Sequence, residues 1–269
     1  MKRLQPAGIL RLSLLAGVTL ALLPAQMLAR RIGRGSAIPR LFHRATCRLL
    51  GVRRTVTGAP PPPGAGGLIV ANHVSWLDIS VIGAERPLSF VAKSEVAGWP
   101  VIGQLAKLQR TVFIDRGRRA HTADVAAEMG ARLQAGESVV LFAEGTTGDG
   151  TRILPMRSSL LGAAHEALAA GPEGAIAVYP LAITYTGFHG LAGGRFERTL
   201  LAWYGDTELA PHLRAVLNAG AIDVELAWGE PISMGPAISR KEATRRAEAM
   251  IRQARRRSVA GREPGFEPT

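Results

Sequence analysis

A single cysteine, Cys47, stands among 269 residues, which excludes an intramolecular disulfide framework and any cysteine-clustered zinc or iron–sulfur centre. A lone thiol of this kind reads as a small core or interface residue. Aromatic residues make up only 5% of the chain, and no zinc-finger, RNA-recognition or basic-zipper spacing occurs. The side chains that would interleave with a basic nucleic-acid footprint are therefore missing. Acidic residues are absent altogether from positions 1–54. There is no collagen-like or low-complexity repeat, and an apolar fraction of 47% excludes a disordered chain. The length suits one sizeable domain plus an appendage.

What the sequence does hold is a formal net charge of +12, unevenly spread. Residues 1–54 carry eleven basic residues, Lys2 and ten arginines. Residues 240–269 carry nine against four glutamates, and the stretch between, 55–239, has thirteen basic and seventeen acidic residues, a balance of −4. The excess thus sits on the two ends, which argues for an anionic membrane surface as partner and against nucleic acid. Within the first segment lies an uncharged apolar run, Leu12–Ala29 (LSLLAGVTLALLPAQMLA). As a helix it reaches about 27 Å, just short of the ~30 Å hydrocarbon core, and Pro24 predicts a kink or a shortened helix. Arg30, Arg31, Arg34, Arg40, Arg44, Arg48, Arg53 and Arg54 follow. That density opposes translocation, as a cleaved signal peptide would require, and fits poorly with a buried core helix. The reading is an uncleaved anchor, spanning or half-inserted in the inner membrane. It holds a cytoplasmic domain, and its arginines meet anionic headgroups at about 1 kcal/mol each.

A proline and glycine stretch, GAPPPPGAG at 58–66, breaks the chain next. The division expected is an anchor and basic juxtamembrane region (1–57), a linker (58–66), a catalytic domain (67–258) and a tail (259–269). Apolar runs at 68–71, 88–92, 111–114, 139–142, 176–185, 199–204 and 222–227 predict strands. Helical periodicity covers 76–84, 100–108, 119–134, 158–170, 207–218 and 239–257, the last opening with a Ser239/Glu242 capping box. Alternation of the two predicts an α/β layered domain: a mostly parallel sheet flanked by helices, with an N-terminal anchoring helix. Ligands of such sheets gather at the carboxyl ends of strands, where the polar motifs fall.

Directly after the first strand comes Asn72-His73-Val74-Ser75-Trp76-Leu77-Asp78. With His73 in the loop and Asp78 in the first helical turn, the carboxylate reaches an imidazole nitrogen and forms an acid–base pair. The alternative is a capping Asp78 beside a hydrogen-bonded loop histidine. No protein nucleophile stands in a G-x-S-x-G turn, and a His–Asp pair without one suits direct deprotonation of a substrate hydroxyl. Further along stand Phe113-Ile114-Asp115-Arg116, then Phe142-Ala143-Glu144-Gly145-Thr146-Thr147, where Gly145 permits close backbone approach. Val178–Tyr185 has Pro180 inside an apolar run, which implies an irregular or edge position.

In order and spacing these blocks, NHVSWLD, FIDR, FAEGTT and VYPLAITY, resemble the glycerolipid acyltransferase family of lysophosphatidate-type enzymes. Val91–Glu95 and Gly98–Gly103 resemble its intervening pattern, and the likeness runs from about residue 67 to 186. It implies a glycerol-3-phosphate acyltransferase-like fold with His73 as general base and Asp78 orienting it. It also implies an acceptor pocket drawn from Ser75, Trp76, Lys93, Asp115, Arg116, Glu144, Gly145, Thr146, Thr147, Arg152 and Arg157. The co-substrate would be an acyl thioester of acyl carrier protein or coenzyme A, with no metal and no cofactor. Two departures stand out: the family usually has proline at the position of Ala143 and arginine at that of Thr147. That arginine is expected to grip the acceptor's phosphate, which Thr147 cannot do. Either Arg152 or Arg157 substitutes, or the acceptor lacks a phosphate monoester. The pattern from Glu144 to Leu160 resembles the branch acting on lyso-ornithine lipid, so lysophosphatidate and lyso-ornithine lipid both remain acceptors. A non-catalytic, membrane-associated lipid-binding protein is the alternative function.

Overall fold

The computed structural model describes residues 3–33, 35, 37–115, 120–162, 164 and 174–260. In chain order the strands are β1 (Arg53–Thr57), β2 (Gly67–Ala71), β3 (Ser89–Lys93), β4 (Val112–Ile114), β5 (Ser138–Phe142), β6 (Ile176–Phe188), β7 (Leu191–Ala192), β8 (Ile222–Trp228) and β9 (Ile232–Met234). The helices are α1 (Pro6–Arg31), α2 (Ala37–Leu49), α3 (Leu77–Gly83), α4 (Ile102–Leu108), α5 (Ala120–Gln134), α6 (Arg195–Leu201), α7 (Leu209–Ala219) and α8 (Arg240–Val259). The strands form one sheet in the order β1-β8-β6-β2-β5-β3-β4, with β7 and β9 pairing β6. Pairs β2–β5, β2–β6, β3–β5, β3–β4 and β1–β8 are parallel, while β8 meets β6 antiparallel.

All five residues of β2 are buried, as expected of a strand covered on both faces. Ile69 and Ala71 face a core built with Leu77, Val81 and Ile82 of α3 and with Val216 and Leu217 of α7. Leu68 and Val70 face the opposite core, with Met129 of α5 and Ala243, Ala247 and Ile251 of α8. Cys47 is buried in the first of these, as a lone thiol should be, and burial pushes its pKa up to about 11.

Three expectations change. The 199–204 run is not a strand: residues 195–201 are helix α6, whose Leu201, with the following Ala202, is buried in the first core. Both long sides of β6 are already occupied, by β2 and by β8 and β9, so the apolar residues are buried from a helix end instead. β6 is also an interior strand, not an edge, despite Pro180. Its second neighbour is β9 up to Val178 and β8 from Leu181, so Pro180 falls where the ladder changes partner and its missing N–H breaks no bond. Finally, β1 lies inside the stretch assigned to the juxtamembrane region. The Pro/Gly stretch 58–66 therefore joins two strands of one sheet. Ser158–Leu161 is a 3-10 turn; the later part of the helix expected to 170, Arg116 and the tail 261–269 lie outside the described residues.

Helix α1 runs through Pro24 for 26 residues, about 39 Å. One stripe faces the body: Gly8 and Gln26 are buried, and Leu4, Arg11, Leu15 and Leu22 are half-buried. Near its start the Gln5 N–H donates to Asn218 Oδ1 (3.0 Å) and Arg11 to the Leu217 carbonyl (2.6 Å). Near its end Gln26 donates to the carbonyls of Gly35 and Leu108, and Arg30 to that of Lys107. The opposite face exposes Ile9, Leu10, Leu20, Met27 and Leu28.

Candidate active site

Ala71, the last residue of β2, pairs with Phe142 of β5 and Leu181 of β6. The residues that leave these strands therefore emerge side by side. Asn72 fixes the exit by closing a two-bond ring on the backbone of Ile183, donating at 3.0 Å and accepting at 2.8 Å. His73 is held next: its N–H donates to Glu144 Oε2 (3.1 Å) and its carbonyl accepts from the Gly148 N–H (2.8 Å).

The imidazole Nδ1 of His73 lies 2.8 Å from Asp78 Oδ2. Asp78 sits in the first turn of α3 and is fully buried. The same Oδ2 accepts the N–H groups of Val74 (2.7 Å) and Ser75 (2.9 Å), and Oδ1 accepts the hydroxyl of Tyr185 (2.7 Å). One carboxylate thus does both things the sequence allowed: it pins the loop before the helix and it holds the histidine. With three other donors around it, the carboxylate is the acceptor toward Nδ1, so the proton sits on Nδ1 and the Nε2 lone pair is free. The ring stacks on Phe142 at 3.8 Å between centroids, 11° from parallel, and its side chain retains 18% exposure. A basic nitrogen, fixed in orientation and reachable from solvent, is what proton removal from a bound hydroxyl needs.

Glu144 is 2% exposed. Burial raises its pKa to about 8, against the opposing pull of the His73 and Leu154 N–H groups that its two oxygens accept. It therefore ties the β2 exit to the loop beyond β5. Gly145 (φ +72°) makes the turn between them. Ser75 is buried, and its hydroxyl accepts from the Leu77 N–H (3.4 Å). Trp76 donates from Nε1 to His212 Nδ1 of α7 at 2.9 Å. Lys93 ends β3 and Asp115 directly follows the neighbouring β4, where Lys93 pairs with Ile114. Thr146 is exposed and Thr147 half-buried. Arg152 and Arg157 are exposed, and neither guanidinium has an ion pair among the described residues. Arg157 is held through its backbone: its N–H donates to the Ala143 carbonyl (2.8 Å) and its carbonyl accepts from the Leu160 N–H (3.0 Å).

Sequence reasoning missed Tyr185 and the α8 arginines. Arg255 reaches the Gly150 carbonyl at 2.8 Å, and Arg252 pairs with Glu248, whose other oxygen accepts the Met156 N–H. Nothing local singled out Tyr185 from Tyr179, Thr184 and Thr186 on the same strand, and for the α8 arginines there was no signal either. Among the described residues no three His, Cys, Asp or Glu side chains gather as a metal site.

Residues 53–184 match the family model described as Acyltransferase. The chain is 45% identical over 251 residues to the lyso-ornithine lipid O-acyltransferase of Brucella abortus (strain 2308), spanning 93% of this chain and 94% of that one. It is 43% identical over 260 residues to the protein of the same name from Rhizobium meliloti (strain 1021), covering 93% and 89%. The crystal structure of the 1-acyl-sn-glycerophosphate acyltransferase of Thermotoga maritima superposes with a TM-score of 0.67 over 95% of both chains at 20% identity, a likeness of fold.

Proposed function

The chain belongs to the acyltransferase family, and we propose that it moves an acyl chain from a thioester of acyl carrier protein or coenzyme A to the hydroxyl of lyso-ornithine lipid. One observation carries the acceptor: near-complete, mutual coverage at 45% identity with a protein named for that lipid. Thr147, where the resemblance called for a phosphate-gripping arginine, agrees with it, since the lipid contains no phosphorus.

His73 Nε2 takes the hydroxyl proton as the oxygen attacks the thioester carbonyl. The tetrahedral intermediate expels the thiolate, which takes the proton back from the imidazolium, leaving ester and free thiol. Asp78 stabilises the transient imidazolium through Nδ1–H. A thioester is already activated, so a base and good positioning suffice without an acyl-enzyme. The loop 144–157, tied to the dyad through Glu144 and to α8 through Gly150 and Met156, forms the acceptor-facing wall.

Membrane association follows from α1. Both of its ends contact the same body, so its outer apolar face lies along the bilayer surface rather than across the bilayer, half-inserted, with the domain at the cytoplasmic side of the inner membrane. The test is an acceptor panel with purified full-length protein and labelled acyl thioester. Diacyl product from lyso-ornithine lipid and not from lysophosphatidate is the expected result, lost by roughly 10²-fold or more in His73→Ala. Product from lysophosphatidate alone would overturn the acceptor and make Arg152 and Arg157 the phosphate ligands to examine. Lysolipid binding without turnover would leave a lipid-binding protein of the same fold.

A further inference from the structure

A cavity of about 690 Å³ opens where α1, α2, β1 and the β6–β7 turn meet. Arg11, Arg44, Arg48, Arg53, Arg54 and His189 line it. Two of these charges are neutralised: Arg53 grips Asp223 through both carboxylate oxygens (2.7 and 3.1 Å), and Arg54 pairs with Glu85 (2.5 Å). Arg11 is tied only to a carbonyl, Leu217 O. Arg44 and Arg48 are exposed, and neither guanidinium has a hydrogen bond or ion pair among the described residues. Three guanidiniums therefore face one cavity with no carboxylate to balance them. Planar, bidentate donors so arranged suit a phosphate.

The location narrows the source of that phosphate. Arg53 pairs with Asp223 and Phe188 with Ile222, so the cavity sits at the carboxyl end of β6. Because β6 is parallel to β2, this is the end of the sheet from which His73 emerges. Leu41, 52% exposed, precedes Arg44 and Arg48 at helical spacing on one face of α2. Beside it, α1 exposes its apolar face. An apolar strip bordering an unpaired cationic cavity matches a lipid at the depth of its headgroup.

We propose that this cavity is a binding site for the phosphodiester headgroup of an anionic membrane phospholipid, separate from the acceptor site. It keeps the catalytic end of the sheet turned toward the bilayer. The proposal rests on the surface-lying α1 described above and requires no turnover.

The test uses full-length protein and vesicles of phosphatidylcholine with or without phosphatidylglycerol. Wild type binds neutral vesicles through α1 and binds more tightly when phosphatidylglycerol is present. Arg44→Ala/Arg48→Ala keeps neutral-vesicle binding but loses most of the increment, roughly tenfold or more. Arg256→Ala/Arg257→Ala, an equal charge change on α8, keeps the increment, and Arg44→Lys/Arg48→Lys keeps part of it. Equal losses in the two alanine pairs would mean diffuse attraction and overturn the site, as would an unchanged increment in the first pair. Inorganic phosphate that abolishes the increment at matched ionic strength would reassign the cavity to a free phosphate. Failure of wild type to bind neutral vesicles would instead sink the placement of α1, a separate result.

Discussion

At the scale of single residues, the site is organised around a buried carboxylate with four donors. Tyr185 supplies the donor on the side away from His73, so Tyr185→Phe leaves Asp78 Oδ1 buried without its partner. The expected cost is about 1–3 kcal/mol of stability. It should be read as a melting temperature lower by a few degrees, with kcat reduced and KM unchanged, because the hydroxyl positions Asp78 and does not touch substrate. Glu144 behaves differently, since its folded pKa lies near 8, above the 4.5 of an ordinary glutamate. The folded protein therefore holds this proton more tightly than the unfolded chain. That contribution is complete below about pH 4.5 and is lost as pH rises through 8. Glu144→Gln, which offers a single acceptor to two backbone donors, is less stable at every pH but lacks the slope. The gap between the two melting curves should narrow from pH 5 to 8; a constant gap would contradict the buried, protonated state. His73, Asp78 and Glu144 were legible in the sequence because each follows an apolar strand within a few residues. Tyr185 and His212 were not, because their partners lie 107 and 136 residues away and only the closed sheet brings them together.

At the scale of elements, strands were readable wherever both faces are covered, as in β2 and β5. They were unreadable at the margins. β1 begins with two arginines and leaves all five of its residues exposed or half-buried, a charged edge that protects the sheet from pairing with another chain; β7 and β9 are two and three residues long. The capping box at Ser239 was legible because it is local, and the Glu242 N–H does donate to the Ser239 hydroxyl. Contacts between elements depend on close approaches that periodicity does not encode. Gly83, the last residue of α3, is one: a Cβ there would fall 2.3 Å from the ring of His43 on α2. Both the glycine and the ring are buried, so the neighbour cannot simply turn away. Gly83→Ala should force α2 off α3, destabilising by about 1–3 kcal/mol. A thermal melt should show it as a drop on the order of 5 °C. An unchanged melting temperature would mean that α2 is free to shift.

At the scale of the whole molecule, the charge and the apolar run acquire a common geometry. The sequence could show that Leu12–Ala29 is apolar and flanked by arginines, but not which side faces protein. That depends on Gly8, Arg11 and Gln26 meeting the body along one stripe, a tertiary fact. With the stripe buried and Leu20 and Leu28 at 70% and 62% exposure, the outer face must be covered by lipid or remain a large apolar patch in water. Each such side chain is worth about 1.5–3 kcal/mol when removed from water. Leu20→Asp/Leu28→Asp should therefore lower partitioning onto neutral vesicles by roughly 10²-fold or more, while the melting temperature in detergent stays near that of wild type, since neither side chain touches the body. A helix crossing the bilayer would respond otherwise, because the carboxylate at position 20 would lie near its centre and prevent insertion, and the protein would fail to accumulate in membranes at all. Soluble, folded double variant in good yield, still able to acylate a micellar acceptor, is the outcome that separates a helix lying on the membrane from one passing through it.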